Sequence, residues 1–297
     1  MRFIYQFPDT NAPEPDMLDV GSVAEIAQRA EAAGWDMFSL TEHPAPSGRW
    51  LAAGGHQSLD PFVALASAAG ATERIGLLTY LSVVPYRNPL LLAKTAATLD
   101  RVSAGRFTLG VGTGYLRGEF KALGVDFEER NALFDEALEV LPMHWSGEPF
   151  DYEGMHFSAK GTQGLPKPVQ NPIPIWIGGN AKITRRRVAE KAHGWMPLGG
   201  SAELLKTTRT PSVGDTDELG GLIAEVRDMA GDRADQLSFV FAYLETRPGD
   251  APGEVERHRD AIGHLADIGV THVVMSGPAG EPAAVNDRIE ELAQHYL

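Results

Sequence analysis

The sequence predicts one (β/α)8 (TIM) barrel over residues 1–297, with an insertion between its fourth and fifth strands. Three observations carry this expectation. A helical pattern that ends in Gly and passes at once into a short apolar strand recurs along the chain, in "AEAAGWDMFSL", "LDRVSAGRFTLGV", "AEKAHGWMPL" and "LADIGVTHVVMS". Eight short β-branched or aromatic runs can be counted, with helical patterns between or after them. Finally, 297 residues at 43% hydrophobic content suffice to bury the core of one large barrel. An open doubly wound sheet has the same alternation but rarely needs eight strands.

The strands are expected near Arg2–Phe7, Asp36–Leu40, Ile75–Leu81, Arg106–Gly112, Ile173–Gly178, Gly194–Leu198, Leu237–Tyr243 and Thr271–Ser276. At the recurring joints Gly34, Gly105, Gly194 and Gly269 each suit a left-handed helix C-cap. Helix starts are marked by a capping box from Ser22 to Glu25, by Asp60 before Pro61 and by Asn88 before Pro89. Between the fourth and fifth strands one helix is expected over about 128–145. After it comes "GEPFDYEGMHFSAKGTQGLPKPVQNP", read as a loop or small hairpin. No linker divides the chain into two domains.

Composition narrows the function. A net charge of -14 and a pI near 5.1 would repel a nucleic-acid backbone or an anionic membrane surface, which leaves small molecules as partners. The absence of cysteine removes disulfides, thiolate metal sites and thiol nucleophiles. The start "MRFIYQF" runs into Pro and Asp, and no stretch reaches the roughly 18 apolar residues of a membrane span, so a cytoplasmic protein is expected. His56, His144, His156, His193, His258 and His264 show no paired ligand spacing, and no metal is expected.

In a barrel of this kind the chemistry sits on the loops that follow the strands. Those ends read "TEH", "TYLSVVPYRNP", "GVGTGY", "IGGNA" and "PLGG" for strands two to six. "RFTLGVGTGY" is not a dinucleotide-binding turn, because the sixth position counted from Gly110 is Tyr115 rather than Gly. Nor is there a Gly-Lys-Ser/Thr for a P-loop. Its glycines fit either a close backbone approach to a ligand or tight packing against the insertion. "IWIGGNAKITRRR" places Gly178, Gly179, Asn180 and Ala181 at a helix start, where free N–H groups and the helix dipole favour an anion; Lys182 or Arg185 could add charge. The alternative is a plain turn before a solvated basic helix.

"RFTLGVGTGYLRGEFKALGVDFEER" and "PKPVQNPIPIWIGG" resemble hallmark stretches of the bacterial luciferase-like superfamily, and the likeness covers nearly the whole chain. It is closest to the branch that uses the deazaflavin coenzyme F420, although flavin mononucleotide (FMN) monooxygenases share much of both motifs. The resemblance implies a planar ring across the barrel mouth, with its phosphate tail at Gly178–Ala181 and Thr113, Gly114 and Tyr115 along the ring and its chain. It also implies a non-prolyl cis peptide at Thr79–Tyr80 under the ring. Glu42 and His43 match the acidic-His pair that ends strand two in deazaflavin enzymes. His43 is thus the candidate for proton transfer, with Glu42 orienting it or capping the next loop. An imidazole titrates near neutrality, which suits it to give or take a proton as hydride moves.

One departure matters: the deazaflavin sugar-phosphate dehydrogenases carry Glu where this chain has Tyr115, which puts that activity in doubt. "PAPSGRWLAAGGHQ", with Arg49, Trp50 and His56, is expected to cover the mouth and to shape an apolar or planar substrate pocket with Phe150, Tyr152 and Phe157. The favoured reading is an F420-dependent oxidoreductase that forms homodimers. An FMN monooxygenase and a non-catalytic cofactor binder on the same fold are the alternatives.

Overall fold

A computed structural model describes residues 1–8, 16–200, 202–208, 210–243, 253–277 and 281–297. Among them the strands are β1 (Arg2–Gln6), β2 (Met37–Leu40), β3 (Gly76–Thr79), β4 (Ser82–Val83), β5 (Phe107–Gly112), β6 (Phe150–Glu153), β7 (Ser158–Thr162), β8 (Ile175–Gly178), β9 (Gly194–Met196), β10 (Ser238–Ala242) and β11 (His272–Ser276). The helices are α1 (Val23–Ala33), α2 (Gly48–Ala52), α3 (Pro61–Ala71), α4 (Pro89–Val102), α5 (Arg117–Ala122), α6 (Arg130–Ser146), α7 (Lys182–Lys191), α8 (Ala202–Thr208), α9 (Thr216–Ala230), α10 (Glu254–Asp267) and α11 (Pro282–Tyr296).

The barrel runs β3-β2-β1-β11-β10-β9-β8-β5, all parallel, and closes where β3 pairs with β5. Strand alternation builds two cores. In β1, Phe3 and Tyr5 point out into the large layer shared with the helices, while Ile4 points in. There Ile4 meets Met37, Leu78, Trp176, Met196, Val240 and Val274, which fill the barrel interior. The helix starts are as the sequence indicates. Ser22 and Glu25 form the reciprocal capping box, Asp60 accepts from the N–H groups of Phe62 and Val63, and Asn88 accepts from Leu90.

Two local expectations need correction. Gly34, Gly105 and Gly269 do take left-handed conformations, with φ of 97°, 82° and 101°, but Gly194 does not. Gly194 is the first residue of β9, and a Cβ there would lie 2.5 Å from the Trp176 ring and 2.9 Å from the Ser238 carbonyl; lack of a side chain is what this position requires. The non-prolyl cis bond is Tyr80–Leu81, one residue later than Thr79–Tyr80. The Tyr80 N–H still donates to the Leu40 carbonyl at 2.7 Å, so the ladder with β2 continues through Tyr80. Beyond the break, β4 resumes pairing with β5 alone.

The segment between β5 and β8 contains two helices, α5 and α6, where one was expected, followed by the antiparallel hairpin β6–β7. The hairpin is tied to the flank of α6 by Glu136, which accepts from the His156 and Phe157 N–H groups and from the His156 ring, and by Tyr152 donating to Glu139. Phe150, Tyr152 and Phe157 therefore stand against α6, because its acidic face captures the hairpin. Among the described residues no helix is long and apolar enough to cross a membrane.

Candidate active site

The loops after β5 and β8 meet at a cavity of about 160 Å3, lined by Thr113, Gly114 and Tyr115 on one side and by Gly178–Ala181 and Thr184 on the other. The two glycine motifs, over 60 residues apart in sequence, thus share one wall. Gly114 has φ 76°, and a Cβ there would come within 2.6 Å of Val83 and 2.9 Å of Phe120, so glycine is demanded by packing as well as conformation. Below the cavity, Leu81 inserts between Gly112 and Gly178, whose added Cβ atoms would lie 2.6 and 2.3 Å from its methyl groups.

The Gly178–Ala181 wall of this cavity is held in place by hydrogen bonds to its neighbouring strands and loops. The Gly179 N–H donates to Met196 O (3.3 Å), and its carbonyl accepts from Trp195 Nε1 (2.8 Å). Asn180 is 2% exposed and its side chain is fully occupied. Nδ2 donates to Leu198 O (2.8 Å) and Pro211 O (2.7 Å), and Oδ1 accepts from the Leu198 N–H (2.8 Å). It clips together the loops after β8 and β9. Ala181, the N-cap of α7, supplies no side-chain cap, so the first-turn amides of that helix present their dipole end to the cavity.

Two arginines, Arg130 and Arg187, also line the cavity, and Arg130 donates to the Phe127 carbonyl at 2.8 Å. Arg185 binds Glu225 (3.0 Å) and the Asn180 carbonyl (2.6 Å), so it supports the loop from behind, and Lys182 is exposed outside the cavity lining. Arg187, 3% exposed, forks onto Asp135 (2.7 and 2.8 Å) and also donates to Asn131.

Tyr115 links this cavity to His43, its hydroxyl lying 3.5 Å from His43 Nε2. The ring of His43 is enclosed by Trp50, His56 and Tyr115, at centroid distances of 4.5, 4.9 and 5.9 Å. Trp50 and His56 come from the loop expected to cover the mouth, and Ser58 anchors it by accepting from the His43 N–H at 2.6 Å.

Glu42 and His43 are neighbours in sequence but serve different networks. Glu42, 4% exposed, accepts from the Val83 N–H (2.6 Å) and Ser82 Oγ (3.1 Å) and pairs with Arg87, holding the chain just after the cis bond. The carboxylate on His43 is Glu119 of α5, whose Oε2 lies 3.2 Å from Nδ1. Glu119 is 1% exposed and also accepts from the Ala45 N–H (3.2 Å) and Tyr86 hydroxyl (2.9 Å). Burial, with the Glu119 charge behind it, pushes the Tyr115 hydroxyl up to about 12, which keeps it a proton-bearing donor at neutral pH.

Sequence reasoning missed Glu119, although its spacing of four from Tyr115 in "YLRGE" was a usable signal. Thr79 is fully buried and Tyr80 half-buried at the end of β3. Thr79 Oγ1 donates to Gly110 O at 2.7 Å, and Tyr80 packs on the interior cluster. Among the described residues no three His, Cys, Asp or Glu side chains are grouped to hold a metal.

Residues 1–211 match the model of the luciferase-like monooxygenases. The chain belongs to that family. Within this luciferase-like group it is 30% identical over 286 residues to the F420-dependent glucose-6-phosphate dehydrogenase of Nocardia farcinica, covering 93% of this chain and 79% of the relative. It is 29% identical to an uncharacterised protein of Mycobacterium tuberculosis over 95% and 96% of the two chains. Among solved structures, the monooxygenase RslO1 from Streptomyces bottropensis superposes with a TM-score of 0.80 at 22% identity, covering 99% and 98% of the chains. The coenzyme F420-dependent tetrahydromethanopterin reductase of Methanopyrus kandleri superposes with a TM-score of 0.72 at 18% identity, covering 99% and 97%. Both similarities speak to the fold, which is the luciferase-like barrel.

Proposed function

We propose that this luciferase-like protein is an F420-dependent oxidoreductase that transfers a hydride between the deazaflavin and a small organic substrate. The observation that carries the reading is the continuity through Tyr115 between a glycine-lined cavity on the α7 N-terminus and the enclosed His43. Relatives at 30% identity that use F420 favour it over FMN.

The residues present fit such a group. A phosphate tail suits the uncapped amides around Asn180 and Ala181 at the positive end of the α7 dipole, with Arg130 and Arg187 in the same lining. Gly179, whose own N–H is engaged, contributes the conformation that lets the following amides turn inward. A cavity of about 160 Å3 is smaller than the roughly 300 Å3 and more of whole-ligand pockets, so it takes the tail and its chain while the ring lies at the mouth. Thr113, Gly114 and Tyr115 would run beside that chain, and Thr79 and Tyr80 would lie under the ring. When bound, F420 supplies the hydride-carrying carbon. His43 holds or moves the proton at Nε2, Tyr115 donates to it, and Trp50 and His56 keep water from the reacting edge.

The protein is taken to act as a homodimer in the cytoplasm. Support for a second copy comes from the outer faces of α3 and α4, which expose Val63, Leu91 and Val102 at 73%, 67% and 55%. Titration with F420 and with FMN tests the cofactor. Stoichiometric binding of F420, with anaerobic reduction of an organic acceptor, is the expected result. Tight binding of FMN alone with strict oxygen dependence would replace the reading by a monooxygenase.

A further inference from the structure

The carboxylate nearest the proposed proton-transfer residue is not its sequence neighbour Glu42. The geometry points to Glu119 as the positioning residue of this site, fixing the neutral His43 ring with its hydrogen on Nδ1 so that the Nε2 lone pair faces Tyr115 and the mouth. The inference rests on the reading of His43 given above and deepens it.

An ionised carboxylate only accepts, so a ring nitrogen 3.2 Å from Glu119 Oε2 must carry a hydrogen. Three further features keep Glu119 in that role. The carboxylate is 1% exposed, where an unpaired charge would be costly, and it gathers donors from three segments of chain: the Ala45 N–H, the Tyr86 hydroxyl and the His43 ring. Burial, then the charge and hydrogen bond of Glu119, pushes the Tyr86 hydroxyl well above the ordinary tyrosine range, so Tyr86 stays a donor to the carboxylate and does not compete as an anion. On the opposite edge, Nε2 has Tyr115 within 3.5 Å, and that hydroxyl also keeps its proton. One edge of His43 is therefore donor-only and the other acceptor-only, an order Tyr86–Glu119–His43–Tyr115 drawn from the turn after β4, α5, the loop after β2 and the loop after β5. Glu42 cannot substitute, since Val83, Ser82 and Arg87 occupy it.

The tautomer is observable directly. In 15N-labelled protein, long-range 1H–15N imidazole correlations of His43 are identified by their loss in His43→Asn. They are recorded on the alkaline side of the ring's own titration, followed in the same spectra, so that the ring is neutral. Wild type is expected to show the hydrogen on Nδ1. Glu119→Gln keeps the shape but offers an amide that can itself donate, so the Nδ1–H population is expected to fall to about half or less. Hydrogen on Nε2 in wild type, or an unchanged tautomer in folded Glu119→Gln, overturns the proposal. Where Glu119→Gln does not fold, the wild-type spectrum decides alone, since Nδ1–H supports the proposal and Nε2–H overturns it. The spectrum needs no cofactor, so its failure leaves the deazaflavin reading standing, and failure of the deazaflavin titration leaves the tautomer result standing.

Discussion

The cavity at the start of α7 and the cluster around His43 share Tyr115, yet one is made of main chain and the other of side chains. Around Gly178–Ala181 the useful groups are amides, and the side chains there work as braces: Asn180 ties two loops together and Arg185 props the turn from behind. Around His43 the backbone only delivers the participants, and the arrangement depends on Glu119, Tyr86, Tyr115, Trp50 and His56 arriving from four stretches of chain. A main-chain site is written in local sequence, because glycines and a helix start create it where they stand. A side-chain site is written in the packing.

The largest expected effect tests the wall that holds both halves together. A Cβ on Gly110 would lie 1.9 Å from the Thr79 carbonyl oxygen, a backbone atom that cannot swing aside. Gly110→Ala is expected to lose more than about 3 kcal/mol in denaturant unfolding, at or beyond the upper end of overpacking costs. A loss under about 1 kcal/mol would mean that β3 and β5 are free to separate there.

Next comes the chemical half. His43→Ala should leave F420 affinity within about tenfold of wild type and lower turnover by roughly 100-fold or more, equivalent to about 2.7 kcal/mol of transition-state stabilisation. Unchanged turnover would remove His43 from the mechanism and leave only the main-chain half of the site.

The far end of the barrel supplies a reference that belongs to neither half. His272, at the start of β11, is buried against Trp176 with Nε2 unpartnered, and burial, aided by the Arg2 charge, lowers its ring to about 4. A histidine whose folded value is depressed resists protonation only while folded, so acid favours the unfolded chain. Stability should fall as pH drops from about 6.5 to about 4, by up to about 1.4 kcal/mol per pH unit. His272→Gln should flatten that stretch of a melting-temperature profile. An identical profile in the variant would place the acid sensitivity elsewhere.

The smallest effect probes the main-chain half. Gly179 has φ 110°, and a Cβ there meets Thr184 at only 3.5 Å, so Gly179→Val strains the turn without a severe clash. Fluorescence titration is expected to show F420 binding weakened about tenfold, roughly 1.4 kcal/mol, with the circular dichroism spectrum unchanged. Wild-type affinity in the folded variant would move the tail away from this loop.

Much of the barrel was legible because its signals are local. The Ser22–Glu25 box, Asp60 before Pro61 and Asn88 before Pro89 each satisfy helix amides within three residues. α5 escaped notice because six residues without a side-chain N-cap leave little periodicity to read. Phe150, Tyr152 and Phe157 looked like mouth residues by composition, but Glu136 and Glu139 on α6 hold their hairpin elsewhere, and no spacing in the sequence announces that capture.

By itself the sequence determined the eight-strand alternation, the helix boundaries marked by caps, the acidic surface and the two glycine motifs, since each depends on a few consecutive residues and on backbone preferences. Only the tertiary structure decided which carboxylate meets His43. Glu42 is adjacent in sequence, but successive residues at a strand end point to opposite sides, and its side chain is drawn to Arg87 and the β4 backbone. Glu119, 76 residues away, reaches the ring because α5 packs beside the loop after β2, and at 1% exposure its charge is met by the donors gathered there.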